Sequence, residues 1–286
     1  MIDGGPAPAA PKTSTTLADL GPRLASGVLM IAMALTSLAV GGWPFIIFWL
    51  IAGLAVNWEW QRMTGGAREP ARFLLGSLVL IAVALLVGNA KRDEAVLVLL
   101  FGTIVLAAVA STGSRLWNAA GLLYSGALVL SVALLRLSKI DGFESILWLF
   151  AIVWGTDIMA YFGGRLIGGA KLWPRVSPSK TWSGFLVGIS SGALLGLVAV
   201  SFYAVKVDAI PLVLIGVFVG AVAQGGDLFE SSVKRRFGFK DSSHLIPGHG
   251  GFMDRLDGFI AAVTFVAVFG AAKAGAATAA HGLFIW

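Results

Sequence analysis

The sequence predicts an all-α, polytopic integral membrane protein of about nine transmembrane helices, and three observations carry that expectation. Of the 286 residues, 57% are hydrophobic and only 13% are charged, against about 25% charged residues in an ordinary soluble domain. Mean hydropathy is +0.87. A chain so poor in charge cannot cover a soluble surface, so lipid must be its main solvent. Its apolar runs also recur at roughly the 20-residue length that a helix needs to cross the hydrocarbon. The sequence shows neither the period-two alternation of an outer-membrane barrel nor an internal repeat of the kind found in many transporters.

The elements follow in order. Residues 1–23 are rich in Pro, Ala, Thr and Gly and lack an apolar core, so they read as a short polar leader rather than a cleavable signal. Spans are expected near 24–40, 44–60, 72–89, 94–111, 119–138, 144–164, 183–205, 209–228 and 253–272. The ninth carries Asp254, Arg255 and Asp257 in its first turns. The chain thus divides into the leader, N-terminal helices over 24–140 and a C-terminal region over 141–286. That last region holds two polar loops, 165–182 and 229–252.

Orientation follows from basic residues in the loops. With the N-terminus cytoplasmic, 15 of the 21 Lys and Arg residues fall inside and 6 outside (Lys91, Arg92, Arg136, Lys139, Lys206 and Lys273). The C-terminus is then external, and both polar loops face the cytoplasm. The absence of a transit pattern favours a bacterial inner membrane. There are no cysteines, which excludes disulfides, thiolate metal sites and cysteine nucleophiles. The +6 charge suits anionic partners such as membrane lipids or nucleotides; no nucleic-acid partner is expected, and a homodimer is allowed.

The richest stretch is SSVKRRFGFKDSSHLIPGHGGFMDRLDG at 231–258. Basic residues Lys234, Arg235, Arg236, Lys240 and Arg255 stand beside Asp241, Asp254 and Asp257, with His244 and His249 between. Glycines including Gly250 and Gly251 precede a helix, an arrangement that lets backbone N–H groups converge on an anion. Aspartates can hold a hard cation through oxygen. A basic loop that binds anionic lipid by charge alone is the simpler alternative.

Upstream, Asp227, Glu230 and Lys234 share a face if their helix continues. A carboxylate at the membrane boundary needs a partner or a cation. Asp227 could therefore share a metal with Asp254, or form a salt bridge to Arg235 or Arg236. In the sixth span Asp157 is an ionisable residue in an apolar run, and Arg165 follows two turns later as one candidate partner. Ser177, Ser179, Lys180 and Thr181 precede the seventh span, and suit phosphate contacts or a plain helix cap by Ser179 or Thr181. Trp58 and Trp60 read as interfacial anchors, Glu59 as a partner of Arg62, and His281 as solvated.

On those residues the chain resembles a known family. Ser231, Val233, Lys234, Arg235, Lys240, Asp241, Ser243, Ile246, Pro247, His249, Gly250, Gly251, Phe252, Asp254, Arg255, Leu256 and Asp257 are similar, in order, to the C-terminal signature of phosphatidate cytidylyltransferases. Asp157, Tyr161, Gly164, Arg165 and the SPSKTW run at 177–182 resemble the second motif region of that family. Ser183 departs from the pattern, standing where many members carry a glutamate.

The resemblance implies condensation of CTP with phosphatidic acid to give CDP-diacylglycerol and pyrophosphate. It implies Mg²⁺, with a second, monovalent cation such as K⁺ as an accompaniment. Asp227 and Asp254 would be the metal ligands, and Lys234, Arg235, Lys240, Asp241, His249, Arg255 and Asp257 the polar site. Ser177, Lys180 and Thr181 would hold phosphates. Competing classes are a transporter of a phosphorylated solute, a CTP-dependent lipid kinase, and the same transfer to another lipid phosphate.

Overall fold

The computed structural model describes residues 17–64, 69–109, 115–203, 205, 207–246 and 250–286. Among these lie nine α-helices: α1 (Leu17–Val40), α2 (Gly42–Thr64), α3 (Glu69–Gly88), α4 (Arg92–Val109), α5 (Arg115–Arg136), α6 (Gly142–Ile167), α7 (Trp182–Ser201), α8 (Ala209–Arg236) and α9 (Met253–Ala274). Each overlaps one of the nine expected spans. Seven are long and apolar enough to cross a membrane. The two exceptions have visible reasons. The apolar part of α1 is the shorter segment Ala25–Val40, and α4 opens with Arg92, Asp93 and Glu94.

Three boundaries differ from expectation. Helix α1 begins at Leu17, inside the expected leader. The polar segment 165–182 is not wholly loop, because β1 (Lys171–Trp173) and β2 (Ser177–Thr181) pair antiparallel as a hairpin. Helix α8 runs on to Arg236, which shortens the loop expected over 229–252. This extension matters for chemistry, since it places Asp227, Glu230 and Lys234 on one helix.

Two apolar cores share the bundle. One gathers α2 to α5 around Leu80, Leu99, Leu106 and Leu122. The other joins α2, α5, α6, α8 and α9 around Trp60, Trp148, Phe150 and Phe259. Helices α2 and α5 serve both and tie the halves together. Outside, Leu97, Phe101 and Ile104 of α4 are each more than 60% exposed. Such a stripe at i, i+4 and i+7 is a liability in water and suits a lipid-facing helix.

Lipid tails are as apolar as leucine, so helices in a membrane associate through close packing and polar contacts. Both are present. Trp60 donates from Nε1 to the Trp117 carbonyl at 2.7 Å, and Thr64 bonds the Asn118 side chain at 3.0 Å. Trp60 is fully buried, which corrects its reading as an interfacial anchor. At the far end His281 Nδ1 lies 2.7 Å from Asp141 Oδ2, so it has a partner rather than solvent alone.

Helices α6 and α7 touch along a line of glycines. A methyl group on Gly192 would lie 2.7 Å from the Ile152 carbonyl oxygen and would also strike Thr156 Oγ1. Backbone cannot step aside as a flexible side chain can. Gly192→Ala is therefore expected to lower stability by about 1–3 kcal/mol, read as a lower unfolding temperature in detergent.

Candidate active site

At one end of the bundle, the C-terminal half of α6, the β-hairpin, and the facing ends of α7, α8 and α9 enclose a cavity of about 510 Å³. Four carboxylates line it (Asp157, Asp227, Asp254 and Asp257), together with Arg165, Lys180 and Arg255. Ser179, Thr181, Gln224, Tyr161 and Phe185 complete most of the wall. Two stretches of sequence, 157–185 and 224–257, thus meet in one space. Every carboxylate oxygen there is a hard donor, suited to a cation such as Mg²⁺. Among the described residues, no three Asp, Glu or His side chains converge closely enough to hold an ion by themselves.

Two polar networks organise the walls. In the first, Lys180 Nζ pairs with Asp227 Oδ2 at 2.6 Å and donates to Gln224 Oε1 at 2.8 Å. Gln224 Nε2 in turn donates to Asp157 Oδ1 at 3.0 Å. Asp227 accepts a further bond from Ser231 at 3.3 Å. Hence Asp157 does not pair with Arg165, whose guanidinium donates to the Tyr161 hydroxyl instead. Nor does Asp227 pair with Arg235 or Arg236.

The second network surrounds Asp254. Lys234 Nζ lies 2.6 Å from Asp254 Oδ1 and 2.7 Å from Glu230 Oε2. Asp254 Oδ2 accepts from Ser242 N at 3.0 Å, Ser242 Oγ at 2.9 Å and Gly251 N at 2.8 Å. Beside it, Glu59 of α2 is completely buried. Its Oε1 accepts from Ser243 Oγ at 2.5 Å and Phe252 N at 2.9 Å. Its Oε2 accepts from Met253 N at 2.7 Å and lies 3.1 Å from Ser242 Oγ, whose single proton it shares with Asp254 Oδ2.

Several expected site residues stand elsewhere. The N–H groups at the start of α9 are taken by Glu59 and Asp254, so Gly251 serves a protein carboxylate where a substrate phosphate was expected. Gly250 and Gly251 lie outside the cavity lining, as do Ser177, Arg235, Lys240 and Asp241; the last three are exposed. Lys234 also lies behind the lining, held between two carboxylates. His249 falls outside the described residues. Thr181 lines the cavity and caps α7, accepting from Gly184 N at 3.1 Å. Ser183, at the departure from the family pattern, donates to the Gly168 carbonyl at 2.5 Å and ties the first turn of α7 to the end of α6.

Sequence reasoning missed Gln224 and misassigned Glu59, which bonds the 242–253 segment rather than Arg62. Gln224 lies three residues before Asp227 on α8, a spacing that puts both on one face. That lone amide in an apolar run was an available signal.

Fold and cavity together define a helical membrane protein with paired carboxylates and cations at one end of its bundle. Comparison with known proteins specifies the class. The model of the Cytidylyltransferase family matches residues 22–272, and the chain belongs to that family. A phosphatidate cytidylyltransferase of Brucella abortus biovar 1 (strain 9-941) is 39% identical over 260 residues, covering 89% of this chain and 94% of the relative. The Brucella suis biovar 1 (strain 1330) protein of the same name matches to the same extent. A phosphatidate cytidylyltransferase of Staphylococcus epidermidis (strain ATCC 12228 / FDA PCI 1200) is 45% identical over 123 residues, 43% of this chain and 47% of its own.

Lys234 is 12% exposed and Glu230 is fully buried, so removing the ammonium strands two carboxylates. Lys234→Ala should therefore lower stability by about 3–5 kcal/mol. Adding Glu230→Gln should return part of the loss, as judged by thermal unfolding of both purified variants.

Proposed function

We propose that this chain transfers a cytidylyl group from CTP to phosphatidic acid, giving CDP-diacylglycerol and pyrophosphate, with its cavity facing the cytoplasm. The relatives' names supply the reaction, and the excess of basic residues in the loops at the cavity end supports the orientation. The observation that carries the reading is the meeting of Asp157, Lys180 and Thr181 with Asp227, Asp254, Arg255 and Asp257 around one cavity.

The chemistry asks little of a side-chain nucleophile. A phosphate monoester has its second pKa near 6, so the lipid phosphate is mostly dianionic at neutral pH. Its oxygen forms the new bond to the α-phosphorus of CTP as the bond to the β-phosphate bridge breaks and pyrophosphate departs. The protein must align the two reactants and hold their negative charges together. Lys180, Arg165 and Arg255 supply positive charge at the cavity wall, and the Thr181 and Ser179 hydroxyls can orient phosphate oxygens. Lys180 can turn from Asp227 to a phosphate without leaving the cavity.

The four lining carboxylates outnumber the three lining cations. Two phosphate-bearing reactants bring more negative charge than the three lining cations can offset, so added positive charge is called for. Mg²⁺ commonly uses one or two carboxylates and completes its shell with water and substrate phosphates, and Asp227 and Asp254 suit that role. Once bound, it would neutralise charge on the entering and leaving groups.

The test is release of pyrophosphate from CTP by purified protein in mixed micelles. Release should need both Mg²⁺ and phosphatidic acid, and Asp254→Asn should lower it by about a hundredfold or more with folding retained. Release with other lipid phosphates in place of phosphatidic acid would reassign the acceptor. A folded wild-type protein with no release would end the proposal.

A further inference from the structure

Glu59 lies on α2, far in sequence from every motif of the site, yet it grips the segment that carries Asp254. Its contacts come from Ser242 and Ser243 and from Phe252 and Met253, within two stretches, 242–243 and 251–253, which flank the bridge from Ile246 N to the Gly250 carbonyl at 2.9 Å. Ser242 and Gly251 are also the residues that bond Asp254 Oδ2. Each stretch is thus held by Glu59 on one side and holds Asp254 on the other. The fit is close. A Cβ on Gly251 would collide with both Ser242 Oγ and a Glu59 oxygen.

We propose that Glu59 is a positioning residue which fixes the Asp254 carboxylate for cation binding by clamping these two stretches. The inference rests on Asp254 being a cation ligand, as argued above. A carboxylate is the side chain the clamp requires, since each oxygen accepts from a backbone N–H, Oε1 also from Ser243 Oγ, and Oε2 shares the Ser242 proton with Asp254. A glutamine amide of the same shape would present an NH₂ group, itself a donor, in place of one of those oxygens. The α9 N-terminus also favours a full negative charge there. Residues that orient a metal ligand typically contribute 10–100-fold to affinity or activity.

The experiment follows Mn²⁺ binding to the purified full-length chain in detergent with CTP present, using electron paramagnetic resonance of the free ion. Thermal unfolding is recorded in parallel. Glu59→Gln should weaken Mn²⁺ binding by about tenfold or more in protein that remains folded. Glu59→Asp, which keeps both oxygens, should recover part of the affinity. A purely structural Glu59 would lower the unfolding temperature and leave Mn²⁺ affinity unchanged, and that result would overturn the proposal. Should Glu59→Gln fail to fold, Ser243→Ala removes one donor and decides in its place: weakened binding supports the clamp, and unchanged binding refutes it. Asp254→Asn separates the two levels. Retained Mn²⁺ binding in that variant would defeat the cation reading and the clamp with it. Loss of binding there, with wild-type affinity in Glu59→Gln, would defeat the clamp alone.

Discussion

An ionised carboxylate removed from water must be met by hydrogen bonds or opposite charge, and this requirement organises one whole end of the bundle. Glu59, Asp157, Asp227, Glu230 and Asp254 each find their partners on other side chains or on backbone N–H groups. The partners mostly come from different elements. Glu59 of α2 holds the start of α9, Lys180 of the hairpin holds α8, and Lys234 of α8 holds Asp254 of α9. Away from close glycine contacts such as those between α6 and α7, apolar packing in lipid gives helices less of a fixed register. These polar contacts supply it, and so the groups that would do the chemistry also set the alignment of the helices that carry them.

The two lysine–aspartate pairs look alike by distance but differ in what they can do. Lys180 and Asp227 are 18% and 30% exposed and both line the cavity. Lys234 and Asp254 are 12% and 6% exposed, and the ammonium has buried Glu230 as a second partner. An entering phosphate can compete for Lys180 because the ion pair already opens onto solvent. For Lys234 the exchange would strand two carboxylates. Exposure therefore leaves the first lysine open to an entering group and makes the second part of the framework, although both stand in family-like motifs.

The sequence disclosed whatever depends on local chemistry. Nine apolar runs gave nine helices because the bilayer sets their length. Asp157, Asp227 and Asp254 announced themselves as carboxylates at apolar spans, and all three line one cavity. What stayed hidden depends on contacts distant in sequence. Nothing near Glu59 signals that Ser242, Ser243, Phe252 and Met253 are its donors, whereas Arg62 three residues on was an obvious local partner. The glycines before α9 suggested a phosphate site, but sequence could not say that a protein carboxylate, Asp254, takes the Gly251 N–H. The length of α8 was misjudged for a related reason. Its last turns are charged, which resembles a loop until Glu230 and Lys234 are seen to pair one turn apart.

The cavity's position also bears on how a lipid could reach it. Tyr161 lines the cavity and is 60% exposed, and its α6 neighbours Ile158 and Phe162 are 56% and 50% exposed. The same stretch of helix thus forms both a wall of the polar space and part of the apolar exterior. A phosphate on two acyl chains could enter across that wall while its tails remained against Ile158 and Phe162. On the hairpin and at the start of α9, Lys180 and Arg255 provide charge where a soluble nucleotide could approach. One space bounded by lipid-facing residues on one side and by cationic residues on the other can receive reactants that share no solvent.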